Sequence, residues 1–194
     1  MVDLTILAMN SLDKYKSIYG KISSSISKAL FSLTGIPVHA KVVDPQNLDM
    51  STVIQKYSNN RPVAAVVASI LYKKVRGYII ILFELSSARD IVKVLSRLVG
   101  FELNNSNAHD ILRELGNIII GNIVSALSDE TGITIEYEIP EVIIDLDTAL
   151  IQNIVLVLGY KNEKIQTFEL QLYSHSGQIG LKVLMMGIGH DKIN

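Results

Sequence analysis

The chain has no cysteine and no tryptophan among its 194 residues. Without thiols it cannot form disulfides, thiolate zinc sites or a cysteine nucleophile, and it suits a reducing compartment. An excess of charge is missing as well, because 18 basic and 19 acidic residues give a formal net charge of −1. So nearly neutral a chain has no broad basic field for nucleic acid. We therefore expect partners to be recognised locally, and nucleic acid is not expected among them.

Long hydrophobic runs are also absent. The most apolar stretches, 63–68, 78–83 and 154–158, are far shorter than the roughly 20 residues that span a bilayer. The N-terminus lacks the basic region and small-residue cleavage site of a secretory signal. With 48% hydrophobic residues, the chain can still bury a sizeable core. We expect a globular, cytoplasmic protein without membrane insertion.

What the sequence does contain is an internal repeat. Residues 12–33 and 111–127 both carry apolar side chains at the three-and-four spacing of an amphipathic helix. Each run leads to a Thr-Gly pair, Thr34-Gly35 and Thr131-Gly132, which is a helix stop. The two stops lie 131 − 34 = 97 positions apart. The pattern predicts two long helices in equivalent places.

Short β-branched runs with strand character follow each long helix. In both halves the order is one short strand, a connection, and two strands joined as a hairpin by a polar turn at 73–74 or 161–163. The predicted strands are 38–43, 63–72 and 75–83 in the first half, and 134–139, 151–160 and 165–173 in the second.

The ends of the two halves are harder to equate. Residues 88–99 predict a helix capped by Ser86 or Ser87, and Val-Lys-Val-Leu at 92–95 recurs as Leu-Lys-Val-Leu at 181–184. The second copy, 176–186, contains two glycines and alternates like a strand, but the repeat predicts a helix, which we adopt.

These elements predict an α+β fold with pseudo-two-fold symmetry. Two long helices and shorter helices would pack on an antiparallel sheet of about six strands. Neither half supplies enough strands to fold alone, so we expect one domain over residues 1–194. Its pseudo-repeats would cover about 10–100 and 107–190, with the Asn- and Ser-rich segment 101–107 as a linker.

A polar face on the second long helix carries the candidate chemistry. Asp110, Glu114 and Asn117 are spaced four and three residues apart, so they lie along one side of about two helical turns. Gly116 and Gly121 cost helix stability and leave room for another surface to approach. On spacing alone, an ordinary solvated helix face explains the pattern equally well.

A proline extends this pattern. Pro140 lies 22 intervening positions after Asn117, which completes Asp-x3-Glu-x2-Asn-x22-Pro; chance yields it in about one random chain of this length in several hundred. The pattern resembles the signature of the CheC, CheX and FliY phosphatases. The helix sequence ELGNIIIGNIVSALS and the internal duplication are similar to that family too. The resemblance covers essentially the whole chain and implies a CheC-like domain.

The resemblance implies an activity in chemotaxis and two-component signalling. It implies a protein phosphatase that would hydrolyse the aspartyl phosphate of a CheY-like response regulator, with Glu114 and Asn117 as its expected catalytic residues. Asn117 would position the attacking water, and Glu114 would bond to the lysine that regulators keep beside their phosphorylated aspartate. Asp110 would support the site near the helix start, where a carboxylate suits the dipole, and Pro140 would shape a strand end beside it.

No cofactor or metal site of its own is expected, because the histidines show no metal-ligand spacing. The regulator would bring its own Mg²⁺.

The first half departs from the signature. With the offset of 97, the four positions map to Asp13, Ser17, Gly20 and Val43. A serine and a glycine offer neither a carboxylate nor an amide, so this half looks catalytically empty. The chain is most similar to the single-site CheC subgroup.

An alternative function stays open. The chain would then be a non-catalytic chemotaxis adaptor that binds the phosphorylated CheY-like regulator, the receptor deamidase CheD, or both. The resemblance places the CheD contact on the predicted helix at 176–186. It also leaves open a monomer or, as in CheX, a homodimer.

Overall fold

The computed structural model of the protein describes residues 12–72, 75–100, 105–158, 164–176 and 179–189. These residues form five helices and seven strands. In chain order they are α1 (Leu12–Thr34), β1 (His39–Leu48), α2 (Met50–Tyr57), β2 (Pro62–Tyr72), β3 (Val75–Glu84), α3 (Leu85–Val99), α4 (Asn105–Thr131), β4 (Glu136–Tyr137), β5 (Glu141–Leu146), α5 (Asp147–Leu158), β6 (Lys164–Tyr173) and β7 (Gly180–Gly189).

All seven strands join one antiparallel sheet. Its order is β1-β6-β7-β3-β2, and both β4 and β5 pair with β2 at the far edge. Alternate residues of a strand point to opposite faces, and the central strand β3 is apolar on both: Ile79 and Ile81 face one core, whereas Ile80 and Leu82 face another. The predicted α+β fold with an antiparallel sheet is confirmed.

Helices cover both faces of this sheet. The larger core lies under α1, α3 and α4 and contains fully buried side chains such as Ile26 and Ile119. The smaller core lies on the opposite face, where Val53 of α2 and Ile151 of α5 are fully buried. The molecule therefore has three layers, with the two long helices in one outer layer.

The two halves of the chain exchange their first strands. In the first half β1 pairs with β6 of the second, from His39 opposite Tyr173 to Leu48 opposite Ile165. In the second half β4 and the following strand β5 both pair with β2 of the first, and the hairpin strands β3 and β7 meet at the centre. Because each first strand is hydrogen-bonded to the other half, neither half holds a complete sheet.

The long helices show the same symmetry. Both end at a left-handed glycine, Gly35 with φ 70° and Gly132 with φ 66°, as the Thr-Gly stops predicted. Where α1 and α4 pack together, the Ser25 hydroxyl donates to Asn122 Oδ1. These two residues are 122 − 25 = 97 positions apart, the offset of the repeat. Equivalent residues touch only at a symmetry axis, so the pseudo-two-fold axis passes between them.

Two predicted elements of the second half are wrong. Residues 151–160 were expected to form a strand, but α5 occupies Asp147–Leu158. Residues 176–186 were expected to form a helix, but β7 occupies Gly180–Gly189. The hairpin equivalent to β2–β3 is thus β6–β7. The short sequence repeat has its first copy, 92–95, in the helix α3 and its second copy, 181–184, in the strand β7.

Smaller differences concern connections and caps. The prediction left α2 inside a connection, and 134–139 forms only the two-residue β4. No side chain caps α3, where Glu84 occupies the N-cap position in place of Ser86 or Ser87. The predicted turns at 73–74 and 161–163 lie outside the described residues.

One described helix, α4, has the length and composition of a membrane span over Asn107–Thr131. Its apolar side chains, including Ile120 and Ile123, are instead buried in the larger core. Buried core helices pass the same test, and α4 is a core helix.

Candidate functional site

The polar face of α4 forms as the spacing predicted. Glu114 is exposed and Asn117 is half-buried, while the intervening Leu115 is fully turned into the core. Within the described residues, the Glu114 carboxylate has no hydrogen bond and no ion pair. A carboxylate without an internal partner can bind a cation that approaches from outside.

A glycine brings this helix close to the sheet. A Cβ atom at Gly116 would lie 2.3 Å from Val66 Cγ1 of β2, a separation that real Cβ atoms do not tolerate. Glycine is therefore required where α4 crosses β2. The sequence predicted room for another surface at this glycine, and the structure places β2 there. The contact fixes the depth at which Glu114 and Asn117 emerge.

Asn117 has a partner that the sequence did not indicate. The Tyr137 hydroxyl donates to Asn117 Oδ1 over 3.1 Å. Tyr137 lies in β4, whose register with β2 places it opposite Ile70. A hydrogen bond from β4, at the edge of the sheet, thus restrains the carboxamide oxygen of Asn117.

A cleft of about 320 Å³ opens between α4 and this sheet edge. Its lining residues are Arg113, Glu114, Asn117, Tyr137, Ile139 and Pro140. Pro140 is buried and separates β4 from β5, a place in an edge strand that suits a residue without a backbone N–H. The structure therefore brings three of the four predicted residues to one cleft: Glu114, Asn117 and Pro140.

The fourth residue, Asp110, adjoins the cleft but does not line it. Its carboxylate pairs with Arg113 one turn along the helix, with Nη2 and Oδ1 2.8 Å apart. The expected role at the helix start is wrong, because α4 begins five residues earlier at Asn105 and has no acidic residue in its first turn. Asp110 instead holds an arginine at the rim of the cleft.

The equivalent face of α1 has no such set of side chains. Ser17 and Gly20 are exposed, and an added Cβ at Gly20 would meet nothing within 4 Å. Val43 takes the place of Pro140. The side chain of Asp13 lies outside the described residues.

Sequence reasoning missed Arg113, Tyr137 and Ile139 as parts of the site. Arg113 was within reach, because it is adjacent to Glu114 and three residues from Asp110. Nothing in the sequence around Tyr137 indicated its role. The related sequence feature is Gly121 in the helix, where an added Cβ would lie 3.5 Å from the Tyr137 hydroxyl. Ile139 lies between two strands, where no periodicity applies.

No group of three or more potential metal ligands occurs among the described residues. Hydrogen bonds from Ser51 and Thr52 lower the pKa of Asp49 to about 2. Asp49 caps α2 and serves structure.

Comparison with known proteins agrees with this geometry. The family model for the chemotaxis phosphatase CheX matches residues 65–155, a stretch that includes all four signature residues. No curated protein sequence matches the chain.

Solved structures show that the fold is CheC-like. FliY from Thermotoga maritima is similar with a TM-score of 0.66 and 19% identity, covering 90% of this chain and 87% of that one. CheX from Desulfovibrio desulfuricans has a TM-score of 0.58 and 18% identity, over 88% of this chain and 99% of that one. CheX from Borrelia burgdorferi, solved in complex with CheY, BeF3 and Mg²⁺, has a TM-score of 0.55 and 17% identity, over 89% and 98%. The predicted resemblance to the CheC, CheX and FliY group is confirmed.

Proposed function

We propose that this protein is a phosphatase that hydrolyses the aspartyl phosphate of a CheY-like response regulator in cytoplasmic chemotaxis signalling. One observation supports this above all: Glu114 and Asn117 emerge on the same cleft as Pro140, in a fold shared with CheX. The complex of the Borrelia CheX with CheY supports a regulator of this kind as the partner.

The reaction needs little covalent chemistry from the enzyme. Water attacks phosphorus, the bond between phosphorus and the aspartyl oxygen breaks, and the products are the free aspartate and inorganic phosphate. Because the transition state is loose, the acceleration comes from positioning the water in line and from stabilising the charge on the phosphoryl oxygens. The carboxamide of Asn117 can accept from the water through one oxygen lone pair and donate through Nδ2.

Glu114 would act on the partner. Its carboxylate is exposed and has no partner among the residues that the structure describes, which suits a charge-assisted hydrogen bond with the lysine beside the regulator's phosphorylated aspartate. Such a bond would fix the orientation in which the acyl phosphate enters the cleft. The Mg²⁺ that balances the phosphoryl charge would come with the regulator.

The test is the decay of a phosphorylated regulator from the same genome, with and without this protein. Asn117→Ala is expected to lower kcat about a hundredfold, because it removes the group that positions the water. Glu114→Ala is expected to raise KM, because it removes the contact that orients the partner.

Matched controls lie at the equivalent positions of α1. Ser17→Ala and Gly20→Ala change the empty first half and should leave both kcat and KM unchanged. Full activity of the Asn117→Ala, Glu114→Ala double variant would contradict the proposal.

The adaptor alternative predicts a different result. The wild-type protein would bind the regulator in its beryllofluoride form but leave phosphate decay at the spontaneous rate. The helix that was expected to carry a CheD contact at 176–186 does not form, because β7 occupies Gly180–Gly189 between β6 and β3.

A further inference from the structure

Tyr137 is held in place more firmly than its short strand would suggest. It pairs with Ile70 of β2, and the next residue, Glu138, donates its backbone N–H to the Ser69 carbonyl over 3.0 Å. The Glu138 side chain also accepts from the Ser69 hydroxyl. The tyrosine backbone is therefore fixed to the sheet, and its ring reaches across to α4.

Space for the phenol is built into α4. Gly121 lies four residues after Asn117, on the same side of the helix. A Cβ added there would already be in van der Waals contact with the Tyr137 hydroxyl, at 3.5 Å, so a larger side chain would push the ring away. The hydroxyl thus lies over the helix surface between Asn117 and Gly121.

We propose that Tyr137 is a positioning residue that fixes the carboxamide of Asn117 for catalysis; this proposal rests on the proposed function. The terminal torsion of an asparagine is broad and roughly two-fold, so an unrestrained carboxamide exchanges its oxygen and nitrogen positions. A hydroxyl donating to Oδ1 selects one of them.

That choice leaves a defined set of groups for the reaction. Oδ1 retains one lone pair, and both hydrogens of Nδ2 remain available. The oxygen can accept from the attacking water while the amide hydrogens donate to a phosphoryl oxygen. Tyr137 would thus act through Asn117, as a positioning residue and not as a catalytic one.

Tyr137→Phe separates this role from packing. The ring contributes to the larger core, and phenylalanine keeps that contact while deleting the hydroxyl alone. We expect kcat to fall about tenfold, the effect of one lost orienting hydrogen bond, with KM for the phosphorylated regulator unchanged. Tyr78→Phe, a change to a half-buried tyrosine of β3 that packs on the smaller core, should alter neither constant.

A second measurement does not depend on activity. The Nδ2 resonance of Asn117, assigned by its loss in Asn117→Ala, reports the motion of the carboxamide by ¹⁵N relaxation. In the wild-type protein it should be as ordered as the backbone, and in Tyr137→Phe it should become mobile.

The two measurements separate the two proposals. If the wild-type protein has no phosphatase activity, the proposed function fails, and the carboxamide relaxation alone decides the role of Tyr137. An Asn117 carboxamide equally ordered in wild type and Tyr137→Phe overturns the positioning role. So does an active enzyme whose kcat is unaffected by Tyr137→Phe.

Discussion

The side chain of Ile139 is 84% exposed at the rim of the cleft that contains Glu114 and Asn117. An isolated exposed isoleucine is unremarkable in itself. Beside a polar site, it provides an apolar anchor that a docking protein can cover, and anchors near the centre of an interface contribute most of the binding energy.

Ile139→Ser is therefore expected to weaken binding of the beryllofluoride-activated regulator about tenfold or more, since about 1–3 kcal/mol of apolar burial is lost. Titration calorimetry or fluorescence anisotropy measures the change. Leu156→Ser is the matched control, because Leu156 is 60% exposed on α5, across the sheet from the cleft. If Leu156→Ser weakened binding of the regulator as much as Ile139→Ser, the docking surface would not be centred on Ile139.

At this scale the sequence predicted Glu114, Asn117 and Pro140 as parts of the cleft and missed Arg113, Tyr137 and Ile139. Glu114 and Asn117 could be placed together because helical spacing is fixed. Tyr137 could not, because its approach to Asn117 depends on the register between β4 and β2. Strand pairing at a sheet edge is set by tertiary contacts and leaves no local pattern.

Among the elements, the contact between α4 and β2 is the tightest that a glycine makes with a side chain of another element in the described chain. The Gly116 Cα faces Val66 so closely that an added Cβ would lie 2.3 Å from its methyl group. Gly20 in α1 is the opposite case, with open space around it.

The same substitution should therefore have opposite effects in the two long helices. Gly116→Ala is expected to destabilise the fold by about 1–3 kcal/mol through overpacking. Gly20→Ala is expected to stabilise it by up to about 1 kcal/mol, the gain in helix propensity. Urea denaturation measures the free energy of unfolding of both variants, and destabilisation by Gly20→Ala would contradict the open space around that residue.

The errors in element type have a physical origin. In α5 the buried residues Leu150, Ile151, Ile154, Val155 and Leu158 follow the three-and-four spacing of a helix, but their β-branched composition favoured a strand. For β7 the alternation of apolar and polar residues correctly indicated a strand. The match with the sequence of α3 wrongly predicted a helix there. In both elements the spacing of apolar residues predicted the secondary structure better than β-branched composition or a short sequence repeat did.

For the whole molecule, the exchange of first strands means that stability is shared between the halves. The chain cut between Gly100 and Asn105 would leave β1 without β6 and β5 without β2. Each fragment would expose unpaired strand edges and an uncovered apolar face.

We therefore expect residues 1–100 and 105–194 to be unfolded or aggregated when expressed separately, and to regain the native fold when co-expressed. Circular dichroism and amide hydrogen exchange of the separate and combined fragments provide the measurement. Cooperative unfolding of either fragment alone would contradict this prediction. The same experiment tests the prediction that residues 1–194 form one domain, because a fragment that folded alone would be a domain of its own.

The pairing of β1 with β6 also has a consequence during synthesis. His39 finds its partner in Tyr173, which is 173 − 39 = 134 residues later. At ~5–20 residues per second, the ribosome needs roughly 7 to 27 seconds to make the intervening chain. Throughout that interval β1 has emerged with its hydrogen-bonding groups unpaired. The nascent chain thus passes through a prolonged aggregation-prone stage, and a chaperone that shields this strand would raise the yield of folded protein.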